Sequence, residues 1–277
     1  MTSQPHAPKQ SDPNEKDARV VGPQAGVRAE PLDRLIVALD FPSADAAMEM
    51  VERLEGQCRW FKVGMELYYA AGNRVVELLR ERGMEVFLDL KLHDIPNTVA
   101  GAVRSVTGVG ASLLTVHAAG GEEMMRAAAR AASAVGAPKL LAVTVLTSMD
   151  ATMLRALGVG DGPDAANAVR TQALRLARLA RAAGIDGLVC SAEEVAEVRA
   201  AMGPKALLVV PGIRPAEAAG RRDDQRRVAT ATDAIMRGAS MLVVGRPITQ
   251  AAEPARVATG ILAEIASATP PMTIQPQ

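Results

Sequence analysis

The segment from Phe87 to Thr98 places three charged side chains at the end of an otherwise apolar run, with the sequence Phe-Leu-Asp-Leu-Lys-Leu-His-Asp-Ile-Pro-Asn-Thr. Because side chains on a strand alternate between faces, Asp89 and Lys91 leave on one face and the leucines leave on the other. Asp94 follows just before Pro96, which suits the first turn of a helix. Burying these charges is costly unless they pair with one another. The pattern indicates either a structural ion pair or a catalytic site, and we favour the catalytic site.

The rest of the chain alternates between short apolar runs and longer amphipathic segments rich in Ala, Leu and Arg. Strands are predicted at Leu35–Leu39, Arg59–Val63, Glu85–Leu90, Ser112–Val116, Leu140–Leu146, Gly187–Cys190, Ala206–Val209 and Met241–Val244. Helices are predicted at Ser43–Leu54, Asn73–Arg82, Pro96–Val109, Glu122–Val135, Asp164–Ala183, Ala192–Met202, Gln225–Arg237 and Glu253–Ala266. Eight buried strands that alternate with helices predict a parallel sheet covered by helices.

A closed (β/α)8 TIM barrel, as a single α/β domain over residues 32–268, accounts for this element count. A doubly wound open sheet is the alternative, but the first strand–helix junction, from Ala38 to Ser43, lacks the glycine-rich dinucleotide fingerprint. Residues 1–31 are polar and contain no apolar signal-peptide core, so we expect a disordered tail there. Residues 269–277 are expected to form a flexible C-terminal tail.

Composition excludes several classes of function. The 31 basic residues balance the 31 acidic residues, which argues against nucleic acid as the main ligand. The longest apolar runs have the length of strands, so no membrane span is predicted. Cys58 and Cys190 are far apart and have no metal-ligand spacing, so neither a disulfide framework nor a zinc site is indicated and a cytoplasmic protein is expected.

Polar residues follow or end most of the predicted strands, where the active site of a TIM barrel lies. They are Asp40, Lys62, Asp89, Lys91, His117, Thr147, Ser148, Ser191, Arg214, Gly245 and Arg246. The loops Pro211–Pro215 and Gly245–Thr249 combine glycines with arginines after strands 7 and 8, a common place for a phosphate site. Between these loops, Ala216–Asp224 has many small residues and predicts a mobile lid.

From Arg34 to Ala266 the chain resembles the orotidine 5′-phosphate decarboxylase family. The resemblance rests on five motifs in the order of the family's bacterial branch: Asp89–Thr98, Val143–Met149, Pro211–Pro215, Asp224–Arg227 and Val244–Ile248. It implies a TIM-barrel homodimer that converts orotidine 5′-monophosphate to uridine monophosphate (UMP) in pyrimidine biosynthesis, with no metal or organic cofactor.

The resemblance also implies a role for each matching residue. Lys62, Asp89 and Lys91 form a charged network that Asp94 of the partner subunit completes. The other implied contacts are Asp40, Lys62 and Thr98 to the ribose hydroxyls, Thr147 and Ser148 to the pyrimidine edge, and Gln225, Gly245 and Arg246 to the phosphate, with Arg214 nearby. His93 is interpreted as a supporting residue and His117 as a structural residue at a strand end.

Loss of CO2 from the pyrimidine ring leaves a carbanion at C6, which Lys91 is suited to stabilise and then protonate. Asp89 is expected near the departing carboxylate. Two alternatives stay open from the residues alone. One is a metal-dependent decarboxylase or synthase of sugar phosphates in the same superfamily, and the other is a non-catalytic module that binds a nucleotide phosphate.

Overall fold

The computed structural model describes residues 30–54, 56–159, 167–215 and 228–268. Its eight strands are β1 (Leu35–Leu39), β2 (Trp60–Gly64), β3 (Glu85–Leu92), β4 (Leu113–His117), β5 (Lys139–Val143), β6 (Gly187–Val189), β7 (Leu207–Val210) and β8 (Met241–Val244). Each strand pairs in parallel with the next, and β8 pairs with β1. The predicted closed barrel is therefore confirmed. Most of both predicted tails, at residues 1–29 and 269–277, lies outside the described residues.

Helices connect the strands around the outside of the barrel. They are α1 (Ala44–Arg53), α2 (Met65–Ala71), α3 (Arg74–Glu81), α4 (Pro96–Thr107), α5 (Gly121–Ala131), α6 (Ala151–Ala156), α7 (Ala168–Ala182), α8 (Val195–Met202), α9 (Ala231–Met236), α10 (Arg246–Thr249) and α11 (Pro254–Ser267). Two 3-10 helices lie at Pro31–Asp33 and Ala118–Gly120. Among the described residues, no helix has the length and apolar character needed to span a membrane.

The strands have two apolar faces because the barrel is filled inside and covered outside. Side chains such as Leu35, Val37 and Leu39 belong to the large core cluster that the helices cover. The inward side chains form a second cluster: Ile36, Ala38, Trp60, Phe87, Leu113, Leu141, Leu207, Val209, Met241 and Val243. Since side chains alternate with period 2, the next inward positions after Ala38, Trp60 and Phe87 are Asp40, Lys62 and Asp89. The interior of the barrel thus changes from apolar to charged at one level.

Trp60 lies directly below this level. It is fully buried, and its indole Nε1 has no hydrogen-bond acceptor among the described residues.

Several predicted boundaries are wrong. The fifth strand ends at Val143 rather than Leu146, and the Thr144 amide and hydroxyl make the last contacts to β6, both to the carbonyl oxygen of Val189. Helix α9 begins at Ala231 rather than Gln225, because the Thr230 hydroxyl accepts a hydrogen bond from the Asp233 amide and caps the helix. Gln225 itself lies outside the described residues. The short helices α2, α6 and α10 are absent from the prediction.

At the amino-terminal end of the barrel, two partly buried arginines tie the strands together. The Arg199 guanidinium donates to the carbonyl oxygens of Gly203, Pro204, Ala206 and Gly238 and to the Ser240 hydroxyl. Arg34 donates to the carbonyl oxygens of Ala239 and Ser240. Burial lowers the pKa of both guanidiniums. These bonds satisfy carbonyl oxygens of the segments that lead into β7 and β8. Through Arg34, they also connect the start of β8 to the start of β1.

Candidate active site

A cavity of about 260 Å³ opens at the carboxyl ends of the strands. Its lining includes eight of the predicted site residues, which come from six different strand ends: Asp40, Lys62, Asp89, Lys91, Thr147, Arg214, Gly245 and Arg246. The fold therefore brings together residues that are up to 206 positions apart in the chain. This is the end of the barrel at which TIM-barrel enzymes carry their catalytic groups.

Four of these side chains form a row of alternating charge. The Lys62 Nζ lies 2.9 Å from the Asp40 Oδ1 and 3.8 Å from the Asp89 Oδ2. The Lys91 Nζ lies 2.9 Å from the same Asp89 Oδ2. The side chains of Lys62 and Asp89 are only 11% and 14% exposed, so their mutual pairing offsets the cost of removing them from water.

The backbone of Lys91 has an unusual conformation. Its φ is +49°, and it is the only described residue other than glycine with a positive φ. For an L-residue, the left-handed conformation costs about 1–2 kcal/mol. The pairing of β3 with β4 shifts register between Leu88 and Leu92 at the same place. The chain is therefore strained where it carries the Lys91 ammonium, a feature that is typical of functional sites.

Thr115 joins the backbone of Lys91 to the carboxylate of Asp89. Its hydroxyl accepts a hydrogen bond from the Lys91 amide at 2.8 Å and donates one to the Asp89 Oδ1 at 3.1 Å. The sequence interpretation missed this residue, which it treated as an ordinary position of the fourth strand.

Gly64 is a second residue that the sequence interpretation missed. A Cβ at this position would lie 3.0 Å from the Lys62 Nζ and 3.3 Å from the Asp40 Oδ1. Both distances are shorter than ordinary van der Waals contact, so the absence of a side chain lets this ion pair form. The signal was available, because Gly64 lies two residues after Lys62 and therefore on the same face of the strand.

The rest of the cavity wall is largely apolar. Its apolar residues are Ala38, Phe87, Val143, Val145, Leu146, Val189, Cys190, Pro211 and Val243. Such a wall suits the face of a planar ring, while the charged row and Thr147 lie around it. The carboxyl-end loops of β7 and β8 add Arg214, Gly245 and Arg246.

The remaining predicted site residues lie elsewhere. Ser148 is exposed and does not line the cavity. Asp94 and Thr98 are also exposed and outside its lining, at the beginning of α4. Between them, Ile95 is a large apolar side chain that is 68% exposed. Gln225 and the predicted lid at Ala216–Asp224 lie outside the described residues.

His93 and His117 stack beside the charged row, with ring centroids 5.2 Å apart and planes inclined by 14°. The Nδ1 of His117 accepts a hydrogen bond from the Ala119 amide and caps the 3-10 helix that follows β4. Burial, followed by the proximity of His93 and Lys91, lowers the pKa of His117. His117 therefore favours its neutral form, which agrees with the structural role predicted for it.

The described residues offer no group of three or more His, Cys, Asp or Glu side chains that could hold a metal ion. The carboxylates of the cavity instead contact ammonium groups. The chemistry that this arrangement can perform is electrostatic stabilisation and proton transfer by lysine.

Comparison with known proteins agrees with this geometry. The family model described as "Orotidine 5′-phosphate decarboxylase / HUMPS family" matches residues 33–261. The chain is 52% identical to the orotidine 5′-phosphate decarboxylase of Anaeromyxobacter sp. (strain K) over 234 residues, which cover 84% of this chain and 99% of the relative. The relative from Moorella thermoacetica is 47% identical over 249 residues, which cover 87% of this chain and 96% of the relative.

A solved structure extends the comparison to three dimensions. The crystal structure of orotidine 5′-phosphate decarboxylase from Lactobacillus acidophilus matches with a TM-score of 0.72 and 37% identity, covering 84% of this chain and 98% of the other. The chain therefore belongs to the orotidine 5′-phosphate decarboxylase / HUMPS family.

Proposed function

We propose that this protein is a carboxy-lyase that converts orotidine 5′-monophosphate to UMP and CO2 in pyrimidine biosynthesis, without a cofactor. The observation that carries the proposal is the row Asp40, Lys62, Asp89 and Lys91 at the cavity, with the two ammonium groups on either side of Asp89. The relatives that bear this activity in their names are about half identical over nearly their whole length.

The reaction requires a cation next to C6 of the pyrimidine ring. When the bond from C6 to the carboxylate breaks, its electron pair stays on C6 in an orbital that lies in the plane of the ring. Lys91 stabilises this charge and then donates the proton that forms the C6–H bond, after which solvent reprotonates the amine. The ion pair with Asp89 holds the ammonium in place before the substrate arrives.

Asp89 has a second role in this scheme, because it lies near the carboxylate that departs. Two like charges about 4 Å apart repel by about 4 kcal/mol at an effective dielectric constant near 20. This repulsion falls as neutral CO2 forms. Asp89 thus both orients Lys91 and raises the energy of the bound substrate relative to the transition state.

The remaining cavity residues bind the parts of the substrate that do not react. We assign Asp40 and Lys62 to the ribose hydroxyls, and Thr147 with Ser148 to the pyrimidine edge. Gly245, Arg246 and Gln225 are assigned to the phosphate, with Arg214 nearby. The phosphate lies far from C6, so these contacts act by converting binding energy into orientation of the ring.

The decisive experiment follows the absorbance of orotidine 5′-monophosphate with purified protein, with and without EDTA. We expect turnover that EDTA leaves unchanged. Loss of turnover with EDTA would favour a metal-dependent enzyme of the same superfamily. Binding of UMP without any turnover of orotidine 5′-monophosphate would identify a non-catalytic module and would refute the proposal.

The two buried cysteines are free and suit the reducing cytoplasm, where we place this reaction.

We further propose that the enzyme is a homodimer in which Asp94 and Thr98 complete the partner's site. Their exposed position beyond the end of β3, outside the lining of their own cavity, supports this assignment. The exposed Ile95 between them supplies an apolar contact for a two-fold interface.

Mixing two inactive variants tests the shared site. In a heterodimer of Lys91→Ala and Asp94→Ala, one site carries both lesions and the other carries neither. Activity should therefore return towards one wild-type site per heterodimer. If no activity returns after subunit exchange has been verified by mass, Asp94 serves its own subunit and the shared site is wrong.

A further inference from the structure

Thr115 lies opposite an irregular part of β3. Leu88 pairs with Leu114 and Leu92 pairs with Val116, so three residues of β3 share a single partner position on β4. These three residues are Asp89, Leu90 and Lys91, and the single position is Thr115. A regular parallel ladder cannot satisfy the backbone of such a bulge. At this place the amide of Lys91 donates to the Thr115 side chain.

We propose that Thr115 is a positioning residue for the decarboxylation, which fixes the backbone of Lys91 and the carboxylate of Asp89 with one hydroxyl group. This inference rests on the proposed function for its kinetic consequences. Thr115 is fully buried and does not line the cavity. It therefore acts through its two neighbours and makes no contact with the substrate.

The direction of the two hydrogen bonds gives the hydroxyl its effect. Its oxygen accepts from the Lys91 amide, so its single proton is available to the Asp89 Oδ1. The other carboxylate oxygen, Oδ2, is then left to face both Lys91 at 2.9 Å and Lys62 at 3.8 Å. Thr115 thus assigns a different partner to each oxygen of Asp89.

The same hydroxyl holds the strained backbone of Lys91. A residue with a φ of +49° relaxes towards an ordinary strand conformation unless its surroundings prevent it. Rotation of the peptide would carry the ammonium away from Asp89. A misplacement of about 1 Å can cost about 100-fold in rate, so the loss should appear in kcat rather than in KM.

The test compares Thr115→Val, which keeps the shape and removes the hydroxyl, with Thr115→Ser, which keeps the hydroxyl. We expect kcat to fall at least about tenfold for valine with KM changed less than about twofold, and serine to stay within about threefold of the wild-type kcat. Thr144→Val is the matched control. Thr144 is also buried, its hydroxyl bonds only the Val189 carbonyl oxygen, and it does not line the cavity. Its kcat should stay within about twofold of wild type.

Equal kcat values for Thr115→Val and Thr144→Val would overturn the proposal. If Thr115→Val does not fold, Thr115→Cys replaces it, because cysteine and serine differ only in the atom that makes the two bonds. A kcat for Thr115→Cys equal to that of Thr115→Ser would then overturn it.

A second measurement does not depend on activity. In native-state hydrogen exchange of the unliganded protein, the Lys91 amide should lose at least about tenfold protection in Thr115→Val and keep it in Thr115→Ser. Unchanged protection in both variants would refute the positioning role even if the wild type is fully active. Conversely, a wild type without decarboxylase activity would refute the proposed function, while the exchange result would still decide whether Thr115 holds Lys91.

Discussion

Both ends of the barrel hold partly buried positive charge, but they satisfy it in different ways. At the amino-terminal end, Arg199 makes six hydrogen bonds of 3.3 Å or less to carbonyl oxygens and one hydroxyl. At the carboxyl-terminal end, Lys62 and Lys91 contact two carboxylates and face a cavity. Backbone carbonyl groups hold the Arg199 guanidinium, whereas the lysines and aspartates of the cavity hold one another by ion pairs.

This difference separates a stabilising charge from a reactive one. A guanidinium whose donors are all used by carbonyl oxygens and a hydroxyl has no capacity left for a ligand. Ammonium and carboxylate groups that share partners can exchange them when a substrate enters. Mutations at the two ends should therefore change different quantities, turnover at one end and the free energy of unfolding at the other.

The largest effect is expected for Lys91→Ala. The variant removes both the cation that stabilises the carbanion and the acid that protonates it, so kcat should fall at least about 10⁴-fold. Binding of UMP should change far less. Lys139→Ala, at the other end of the barrel, is the control and should retain wild-type turnover. Retention of more than a few per cent of wild-type activity by Lys91→Ala would refute the role of Lys91.

The next effect is on stability. Arg199→Met removes the donor from several partly buried carbonyl oxygens and from the Ser240 hydroxyl, so the free energy of unfolding should fall by about 3 kcal/mol. Turnover per folded molecule should remain that of the wild type. Arg74→Met is the control, because Arg74 is exposed and its pairs with Glu77 and Glu81 lie in water, where ion pairs contribute little to stability. Urea denaturation measures both variants, and equal losses would show that the backbone contacts of Arg199 are not special.

Gly64→Ala should have an intermediate effect on activity. The added methyl group displaces the Lys62 ammonium from Asp40, so kcat/KM should fall about tenfold. Gly260→Ala is the control, because no neighbouring element lies within 4 Å of a Cβ there and alanine stabilises a helix by about 0.5–1 kcal/mol relative to glycine. If Gly64→Ala retained full kcat/KM, the space that Gly64 leaves for the Lys62–Asp40 ion pair would not be needed for activity.

The smallest effect concerns pH. The pKa of His117 in the folded protein lies below its ordinary value of 6.5, so the unfolded chain takes up a proton first as the pH falls. His117 therefore lowers the free energy of unfolding below about pH 6.5 and leaves it unchanged at pH 7.5. His117→Asn keeps an acceptor for the Ala119 amide and should lose less unfolding free energy than wild type between pH 7.5 and 5.5. An identical loss in both proteins would contradict this sign.

The sequence predicts the barrel well because its main signal is local. Eight short apolar runs that alternate with amphipathic segments are sufficient for the fold, and the alternation of side chains along a strand places Asp89 and Lys91 on one face. Helices α2, α6 and α10 were missed because each spans seven residues or fewer and is too short for a helical period to stand out.

The bulge opposite Thr115 could not be predicted from local patterns. Its hydrogen bonds join residues that are 24 and 26 positions apart, and only the pairing of β3 with β4 brings them together. The strain at Lys91 has the same origin, since nothing in the run Asp-Leu-Lys-Leu marks a left-handed residue. The chemically important part of the motif is thus the part that departs from the regular strand.

The fluorescence of Trp60 can report on the interior of the barrel. It is the one tryptophan of the chain, and its indole is fully buried on the same face of β2 as Lys62. Emission from the protein therefore reports on a single site, the interior just below the charged row. A shift of this emission to longer wavelength will mark entry of water into the barrel, and quenching by a bound ring will mark occupation of the cavity above it.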